Sequence, residues 1–318
     1  MEPDLRDRII DDVFEIREQT GLALSWLLAK ASLGKSRFYD WRKRYGKLNE
    51  HNGKIPRDNW LLANETEKIV NWYKEHPFDG YRRCCYMMMD ADVVAVSPAT
   101  VYRVLSKAGM LNNRNVRPSR KGTGFTQPLK AHAHWHIDIS YINCGGTFYY
   151  LCTVLDGFSR LIVHYELKEQ MKEADVELIL QRAREKYPDA APRIISDNGP
   201  QFIARDFKEF IRLTGMTHVR TSPYYPQSNG KLERYHKSLK TECIRPRSAE
   251  TQDEARRNID EYVTYYNTIR LHSSLGFITP GQMLDGKQKE IFEEREMKLS
   301  KAREERRIKR SKIRELTN

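Results

Sequence analysis

Apolar positions in the first fifty residues recur with the spacing of α-helices. A first helix is predicted around Leu24–Leu28, followed by a turn at Gly34 and a second helix with Ser36 as its N-cap. The apolar contacts of that second helix are expected from Phe38, Tyr39 and Trp41. Residues 1–50 are therefore predicted to be a helix-turn-helix unit whose basic second helix contacts DNA. A small helical bundle with a solvated basic face is the alternative.

A second helical unit is predicted over residues 57–111, after a polar linker. Its first helix covers Thr66–His76, another begins at Gly80, and Ser97 with Pro98 forms the start of the third. The inward positions of the third helix are expected to be Val101, Val104 and Leu105. Residues 112–130 show no periodicity and are rich in Arg, Asn, Gly and Pro, which predicts an extended basic linker lying along DNA.

From residue 131 the apolar and polar positions alternate, as in β-strands. One face is predicted to carry the polar side chains at 132, 134, 136, 138 and 140, and the other Trp135, Ile137 and Ile139. The further elements are predicted as strands over 147–155 and 161–167, a helix over 176–187, a strand over 193–196, a helix over 205–214, a strand over 218–221 and a helix carrying Glu233. The order β-β-β-α-β-α-β-α predicts a mixed sheet with helices on its faces.

The end of the chain is predicted to be helical. An amphipathic helix is expected over Thr251–Ile269. The tail Lys287–Asn318 carries 12 Lys/Arg and 7 Asp/Glu with little apolar content. This composition predicts a solvated helix that orders on DNA or on a partner subunit.

Composition narrows the classes of function. The chain has 318 residues, a formal net charge of +12 and a pI of about 9.4, which favours a polyanionic partner, nucleic acid first. No apolar run approaches the roughly 20 residues of a spanning helix, and the acidic start lacks a leader sequence, so a cytoplasmic, nucleoid-associated protein is expected. Five cysteines form no CxxC pair, which favours free thiols and gives no support for a zinc finger.

Three acidic residues are the candidate catalytic groups. Asp138 lies inside a predicted strand, Asp197 at the end of a buried one and Glu233 on a helix, with 35 residues between the last two. Converging carboxylates can hold two Mg²⁺ ions that activate a nucleophile against a phosphodiester. Taken singly, the three could be a solvated strand face, a turn, and an ordinary helical salt bridge to Lys237. Lys237 and Lys240 share the face of Glu233 and suit flanking phosphates.

Residues 131–285 resemble the catalytic core shared by retroviral integrases and bacterial insertion-sequence transposases. The segments that carry the resemblance are Ser196–Phe202, Tyr225–Arg234, Tyr266–Gly276 and Thr279–Pro280. Upstream, Lys35–Arg44 and Gly80–Arg83 resemble the front half of the catalytic subunit of two-reading-frame insertion sequences. The histidines and cysteines of the helical region are badly spaced for the zinc module of the retroviral relatives.

The resemblance implies an α/β RNase H-like catalytic core over 131–245 and a helical extension of it over 246–285. The charged helical tail over 286–318 lies outside the resemblance and is predicted from its composition alone. It implies that Asp138, Asp197 and Glu233 are catalytic and bind two Mg²⁺ or Mn²⁺ ions, and that the enzyme cuts DNA at element ends and transfers the 3′-hydroxyl into DNA. A dimer or larger assembly on DNA, and a partner protein from an upstream reading frame, are further expectations.

Basic side chains are the predicted DNA contacts. They are Lys35, Arg37, Arg42, Lys43, Arg44, Arg82, Arg83, Arg103, Arg117, Arg120, Lys121, Arg234, Lys237 and Lys240. Two alternative functions stay open: a non-enzymatic DNA-binding regulator derived from a transposase, and an RNase H-like nuclease that cuts without joining. The first explains the charge but not three acids at this spacing, and the second is separated by whether a 3′-hydroxyl end becomes joined to target DNA.

Overall fold

A computed structural model describes residues 3–47, 60–111, 127–220 and 230–317. The chain divides into two compact units, Met1–Trp60 and Leu61–Asn318. No helix in the described part of the chain is long and apolar enough to cross a membrane.

The first unit is a small three-helix structure. Its helices are α1 (Pro3–Thr20), α2 (Leu24–Lys30) and α3 (Lys35–Lys43). The core of the unit is formed by Ile10, Val13, Leu28 and Phe38, with Trp41 packed against them. The predicted helices on either side of Gly34 are therefore confirmed.

Two details of the predicted second helix are wrong. Ser36 is not its N-cap, because α3 already begins at Lys35 and the extended backbone of Gly34 takes the capping position without a side-chain hydrogen bond. Tyr39 is 52% exposed, whereas Phe38 is buried. Adjacent residues on a helix point about 100° apart, so the burial of Phe38 turns Tyr39 toward solvent.

The second helical region, residues 61–111, contains α4 (Ala63–Glu75), α5 (Tyr81–Asp90) and α6 (Pro98–Lys107). The Ser97 side chain accepts a hydrogen bond from the Thr100 amide, and Pro98 occupies the first turn of α6, as predicted. The helices enclose an apolar cluster that includes Ile69, Cys85, Met88, Val101 and Leu105. All five cysteines of the chain are buried free thiols.

The region that follows residue 131 contains a five-stranded sheet in the order β3-β2-β1-β4-β5. Its strands are β1 (His134–Cys144), β2 (Thr147–Asp156), β3 (Ile162–Lys168), β4 (Arg193–Ser196) and β5 (Thr217–Arg220). β2 pairs antiparallel with both β1 and β3, and β4 pairs parallel with both β1 and β5. The predicted mixed sheet is confirmed. A short helix at 200–203 was not predicted.

Helices cover both faces of the sheet. α7 (Glu173–Lys186), α8 (Pro200–Ile203) and α9 (Arg205–Leu213) pack on the face of Trp135 and Ile137. α10 (Gly230–Leu239) and α12 (Gln252–Thr268) pack on the other face, against Leu151 and Leu155. The predicted alternation is confirmed within β1, because Trp135 and Ile137 lie in one core and Ile142 in the other. The placement of His132 on the polar face is wrong, because this residue precedes β1 with a φ of +56° and its Nδ1 accepts a hydrogen bond from Nε1 of Trp135.

The remaining helices complete the chain. A π-helical turn (Lys240–Ile244) extends α10 into α11 (Arg245–Arg247), and a 3₁₀ turn (Ser273–Leu275) precedes α13 (Pro280–Leu284). α14 (Gln288–Thr317) ends the chain. The expectation of a wholly solvated tail is wrong, since Arg295 and Arg306 of α14 are each only 5% exposed. Their guanidinium groups pair with acids of α5 and α4, which composition alone does not reveal.

Candidate active site

Asp138 and Asp197 lie on neighbouring parallel strands. The ladder between β1 and β4 ends with the pair His136 and Ile195. Asp138 and Asp197 each follow that pair by two residues, so the register brings them to the same end of the ladder. Adjacent strands lie about 4.8 Å apart, which places the two positions within reach of a common ligand.

Asp138 sits in a partly enclosed position beside α10. Its side chain is 18% exposed, and one carboxylate oxygen, Oδ2, lies 3.4 Å from Nδ1 of His236. The other ring nitrogen of His236 lies 3.3 Å from Oγ1 of Thr153, the buried strand partner of Asp138. His236 therefore links the helix to both strands at the level of Asp138.

Asp197 is exposed in the turn between β4 and α8. Its Oδ1 accepts a hydrogen bond from the Gly199 amide at 3.0 Å, an Asx-type turn that fixes the backbone after the strand. The preceding Ser196 is buried, and its Oγ lies 2.8 Å from Nε2 of His218 on β5. The strand end is thereby anchored while the carboxylate faces solvent.

Glu233 lies on the exposed side of α10. The opposite side of the helix is buried through Leu232, Tyr235 and Leu239, as predicted. Glu233 lines a surface groove together with Gly230, Arg234, Lys237, Ser238, Thr241 and Glu242. Among the residues that the structure describes, Glu233 and Lys237 form no ion pair, so the simple salt-bridge interpretation finds no support there.

The structure brings the three predicted acids together only in part. Asp138 and Asp197 share one end of the β1–β4 ladder, and Glu233 lies on the helix that covers the sheet face beside Asp138. Within the described ranges, no group of three His, Cys, Asp or Glu side chains is close enough to hold a metal ion. The donor types are nonetheless the carboxylate oxygens that Mg²⁺ prefers. Residues 221–229, which precede α10 and include Tyr225–Asn229 of the family-like motif, lie outside the described residues.

A cationic pair next to the first turn of α10 was missed by sequence reasoning. Nζ of Lys231 donates to the Gly157 carbonyl at 3.0 Å, and burial together with the Arg160 guanidinium lowers the pKa of this lysine to about 7. In the described part of the chain, Nε and Nη1 of Arg160 are buried without a hydrogen-bond partner. The nearby Asp156 carboxylate is already occupied by hydrogen bonds from Ser159. At neutral pH the positive charge here therefore comes mainly from Arg160, because Lys231 with its lowered pKa is only partly protonated. Such a charge suits a polyanion.

Two histidines of this region, His236 and His272, have different surroundings. His236 contacts Asp138, as described above. His272 is buried, and its Nδ1 accepts a hydrogen bond from the Ser274 amide at the start of the 3₁₀ turn. Burial and the neighbouring Arg270 lower the pKa of His272 to about 3, so it stays neutral and serves as a cap.

Most of the predicted DNA-contact side chains are exposed. On α3 these are Lys35, Arg37, Arg42 and Lys43, followed by Arg44 at its C-cap, and on the later helices Arg82, Arg103, Arg234 and Lys237. Lys240 is half-buried, and Arg83 is half-buried in an ion pair with Asp79. Arg117, Arg120 and Lys121, with most of the predicted 112–130 linker, lie outside the described residues.

The sequence of this part of the chain is similar to those of known proteins. Two family models, both described as Integrase core domain, match residues 128–226 and 214–280. The transposase for insertion sequence element IS904 of Lactococcus lactis subsp. lactis (strain IL1403) is 31% identical over 173 residues, covering 51% of this chain and 68% of that protein. An uncharacterised protein of insertion element IS136 of Agrobacterium fabrum (strain C58 / ATCC 33970) is 31% identical over 180 residues, 54% of this chain and 92% of that protein.

A solved structure is also similar. A chain of the simian T-cell lymphotropic virus intasome, determined in complex with PP2A regulatory subunit B56 gamma, is 19% identical and aligns with a TM-score of 0.46. The alignment covers 67% of this chain and 74% of that chain.

Proposed function

Because the chain belongs to the insertion-sequence transposases with an integrase core domain, we propose that it cuts DNA at the ends of a mobile element and joins the freed 3′-hydroxyl to target DNA. The five-stranded mixed sheet with helices on both faces confirms the RNase H-like α/β class predicted for this region.

In this proposal Asp138, Asp197 and Glu233 are the catalytic carboxylates. The observation that carries it is the register of β1 and β4, which brings Asp138 and Asp197 to one end of a parallel ladder, where ligands commonly bind in α/β sheets. Glu233 completes the set from α10, which the His236–Asp138 contact ties to the same sheet face. Two bound Mg²⁺ or Mn²⁺ ions would supply activation of the attacking oxygen and stabilisation of the leaving 3′-oxygen.

Other side chains around the acids hold the DNA. Arg234 and Lys237 are exposed beside Glu233 in the surface groove and neutralise the phosphates that flank the cut. His236 orients the Asp138 carboxylate from its buried position on α10. No covalent protein–DNA intermediate is needed, since water and then the 3′-hydroxyl are the nucleophiles, and no serine or tyrosine takes part.

The assembly on DNA is part of the same proposal. Two element ends must be brought together for joining, so a dimer or larger multimer of this chain on double-stranded DNA is expected. End recognition is assigned to the exposed basic side chains of α3, α5 and α6. A partner protein from an upstream reading frame would add to this recognition.

The test compares cleavage with binding. Asp138→Asn, Asp197→Asn and Glu233→Gln are each assayed with Mg²⁺ on labelled DNA carrying the inverted repeats that flank this reading frame in its source genome. Cleavage at the 3′ end is expected to fall by about a hundredfold to a thousandfold, while binding stays unchanged. The matched control is Asp189→Asn, an exposed carboxylate between α7 and β4 that should cleave like the wild type.

Near-normal cleavage by any one of the three variants would remove that residue from the catalytic set. A wild-type protein that binds the repeats but cleaves in neither Mg²⁺ nor Mn²⁺ would contradict the proposed activity.

A further inference from the structure

The last helix of the chain lies beyond the region that the family models match. Those matches end at residue 280, whereas α14 covers Gln288–Thr317. α14 reaches back to the helical region 61–111, which precedes the sheet in sequence. The hydrogen bonds of this contact join residues more than 200 positions apart, such as Arg295 with Asp90.

Arg295 of α14 contacts two other parts of the chain, α5 and the segment 276–277. Its Nε and Nη2 donate to the two carboxylate oxygens of Asp90 on α5, at 2.8 and 2.6 Å. It also donates to the carbonyls of Gly276 and Phe277, at 3.3 and 2.8 Å. Its guanidinium lies 4.8 Å from the ring centroid of Tyr86 on α5. A planar fork of donors that satisfies four acceptors at once holds these segments in one geometry.

A second set of contacts follows farther along the same face of α14. Arg306 is 5% exposed, pairs with Glu65 of α4 and donates to the Ala95 carbonyl at 2.7 Å. Between the two arginines, Nζ of Lys298 lies 2.9 Å from the Asp92 carboxylate. The helical region is therefore held by ionic and hydrogen-bonded contacts along about three turns of α14.

The segment beneath Arg295 is closely fitted to both helices. The ring of Phe277 stacks on Tyr86 with centroids 4.8 Å apart. Gly276 has a φ of +75°, which L side chains rarely adopt, and a Cβ there would lie 2.5 Å from the Phe292 ring of α14, so that ring would have to move. This segment therefore contacts both α5 and α14.

The same segment leads back to the helix of Glu233. His272 pairs with Ile278 across the 276–277 turn, and the nearby Arg270 makes two hydrogen bonds to Glu242, at 2.7 and 2.6 Å. Glu242 lies in the π-helical turn that continues α10. A continuous chain of contacts thus runs from α5 through Arg295 and Arg270 to α10.

We propose that Arg295 and Arg306 are positioning residues, which fix the helical region 61–111 against the catalytic core so that DNA held by α5 and α6 enters the site in one register. This proposal rests on the proposed function. The exposed Arg82 and Arg103 are the side chains through which α5 and α6 would hold that DNA. We call this pair of arginine contacts the clamp. It is expected to affect the position of the cut and the cleavage rate of bound DNA, because small displacements of a substrate slow a reaction strongly.

The experiment uses Arg295→Met and Arg306→Met in the full chain, with Arg303→Met as the matched control. Arg303 is exposed on the same helix and, in the described ranges, forms no ion pair. Each protein is given two substrates in Mg²⁺: a full element end, and a short duplex that fills the core but cannot also reach α5 and α6. Rates and cut positions are read at single-nucleotide resolution, and amide hydrogen exchange is followed in α5, α14 and the sheet.

For the two variants, kcat on the full end is expected to fall by about tenfold to a hundredfold, with cuts spread over neighbouring positions. The short duplex should be cut as by the wild type, and the control should match the wild type on both. Amides of α5 and α14 should exchange faster while those of the sheet do not change. Arg295→Lys, which keeps the charge but not the fork of donors, should recover part of the rate and of the accuracy.

Two results would overturn the clamp. The first is that the variants cut the full end at the wild-type rate and position although the amides of α14 exchange faster. The second is that the variants lose an equal share of the cleavage rate on both substrates, which is expected if α14 only stabilises the fold. If Arg295→Met does not fold, Lys298→Met is used instead, because it weakens the same contact between α14 and residues 61–111 from a more exposed position. The same two results, obtained with Lys298→Met, would overturn the proposal. Failure of the proposed function is distinct, since the wild type would then cut neither substrate.

Discussion

At the scale of single residues, the most informative contact is that between His236 and Asp138. The histidine is 6% exposed and lies between an acid of β1 and a hydroxyl of β2. A ring nitrogen held 3.4 Å from a carboxylate oxygen restricts the direction in which that carboxylate points. Groups of this kind tune metal-binding acids without touching the metal themselves.

Replacing His236 tests that role. His236→Leu removes the partner of Asp138 but fills most of the space, so DNA cleavage is expected to fall about tenfold to a hundredfold with end binding unchanged. The measurement is single-turnover cleavage of saturating DNA, with His76→Gln at the C-terminal end of α4 as the control. A His236→Leu enzyme as fast as the wild type would show that Asp138 needs no such support.

The sequence indicates part of this residue-level arrangement. The alternation along β1 predicts that Asp138 shares a face with His136 and Ser140, because side chains of a strand alternate. It does not predict that His236 meets Asp138, since that contact depends on how α10 crosses the sheet. The capping error at Ser36 has a local cause: Ser36 and Gly34 both suit a helix start, and the pattern does not choose between them.

At the scale of elements, the extension of α10 by a π-helical turn sets where its charged side chains lie. The turn places Glu242 against Arg270, which is 8% exposed. Burial alone would raise the pKa of the Glu242 carboxyl. The hydrogen bonds from Arg270 and Tyr262 and the charges of Arg270 and Arg83 together outweigh it, and the net pKa is lowered. A lowered folded-state pKa means that ionised Glu242 stabilises the fold.

The pH dependence of unfolding checks this pair. The contribution of Glu242 is fully present above its unfolded pKa of about 4.3 and is lost as the pH falls through its lower folded pKa. Glu242→Gln is expected to reduce the free energy of unfolding by about 3 kcal/mol at neutral pH, and by less in acid. Glu261→Gln, which breaks the exposed pair with Arg247, should change it by about 0.5 kcal/mol. An equal effect of Glu242→Gln at all pH values would contradict the assignment.

Elements of this chain differ in how far the sequence determines them. The order of strands and helices follows from periodicity, and the mixed character of the sheet follows from the order. The π-helical turn and the strand order β3-β2-β1-β4-β5 cannot be predicted from periodicity, because both depend on contacts between distant segments. The parallel pairing of β1 with β4, on which the candidate site depends, belongs to this second group.

At the scale of the whole molecule, charge composition is a poor guide to the position of α14. Twelve basic and seven acidic residues in the tail suggest a solvated helix. Two of those arginines are instead buried against Asp90 and Glu65. Their partners are more than 200 residues away in sequence, so only the folded chain reveals that the tail joins residues 61–111 to the core.

The measurement that tests the central claim most directly is the joining of a pre-cut DNA end in Mg²⁺ by the wild type and by Glu233→Gln. A labelled end with a free 3′-hydroxyl bypasses cleavage, so the product reports strand transfer alone and separates a transposase from a nuclease that only cuts. The account predicts joined product with the wild type and its loss in Glu233→Gln, with equal binding of the end by both. Joined product that persists in Glu233→Gln would remove the third acid, and a wild type that cuts ends but never joins them would contradict the assignment as a transposase.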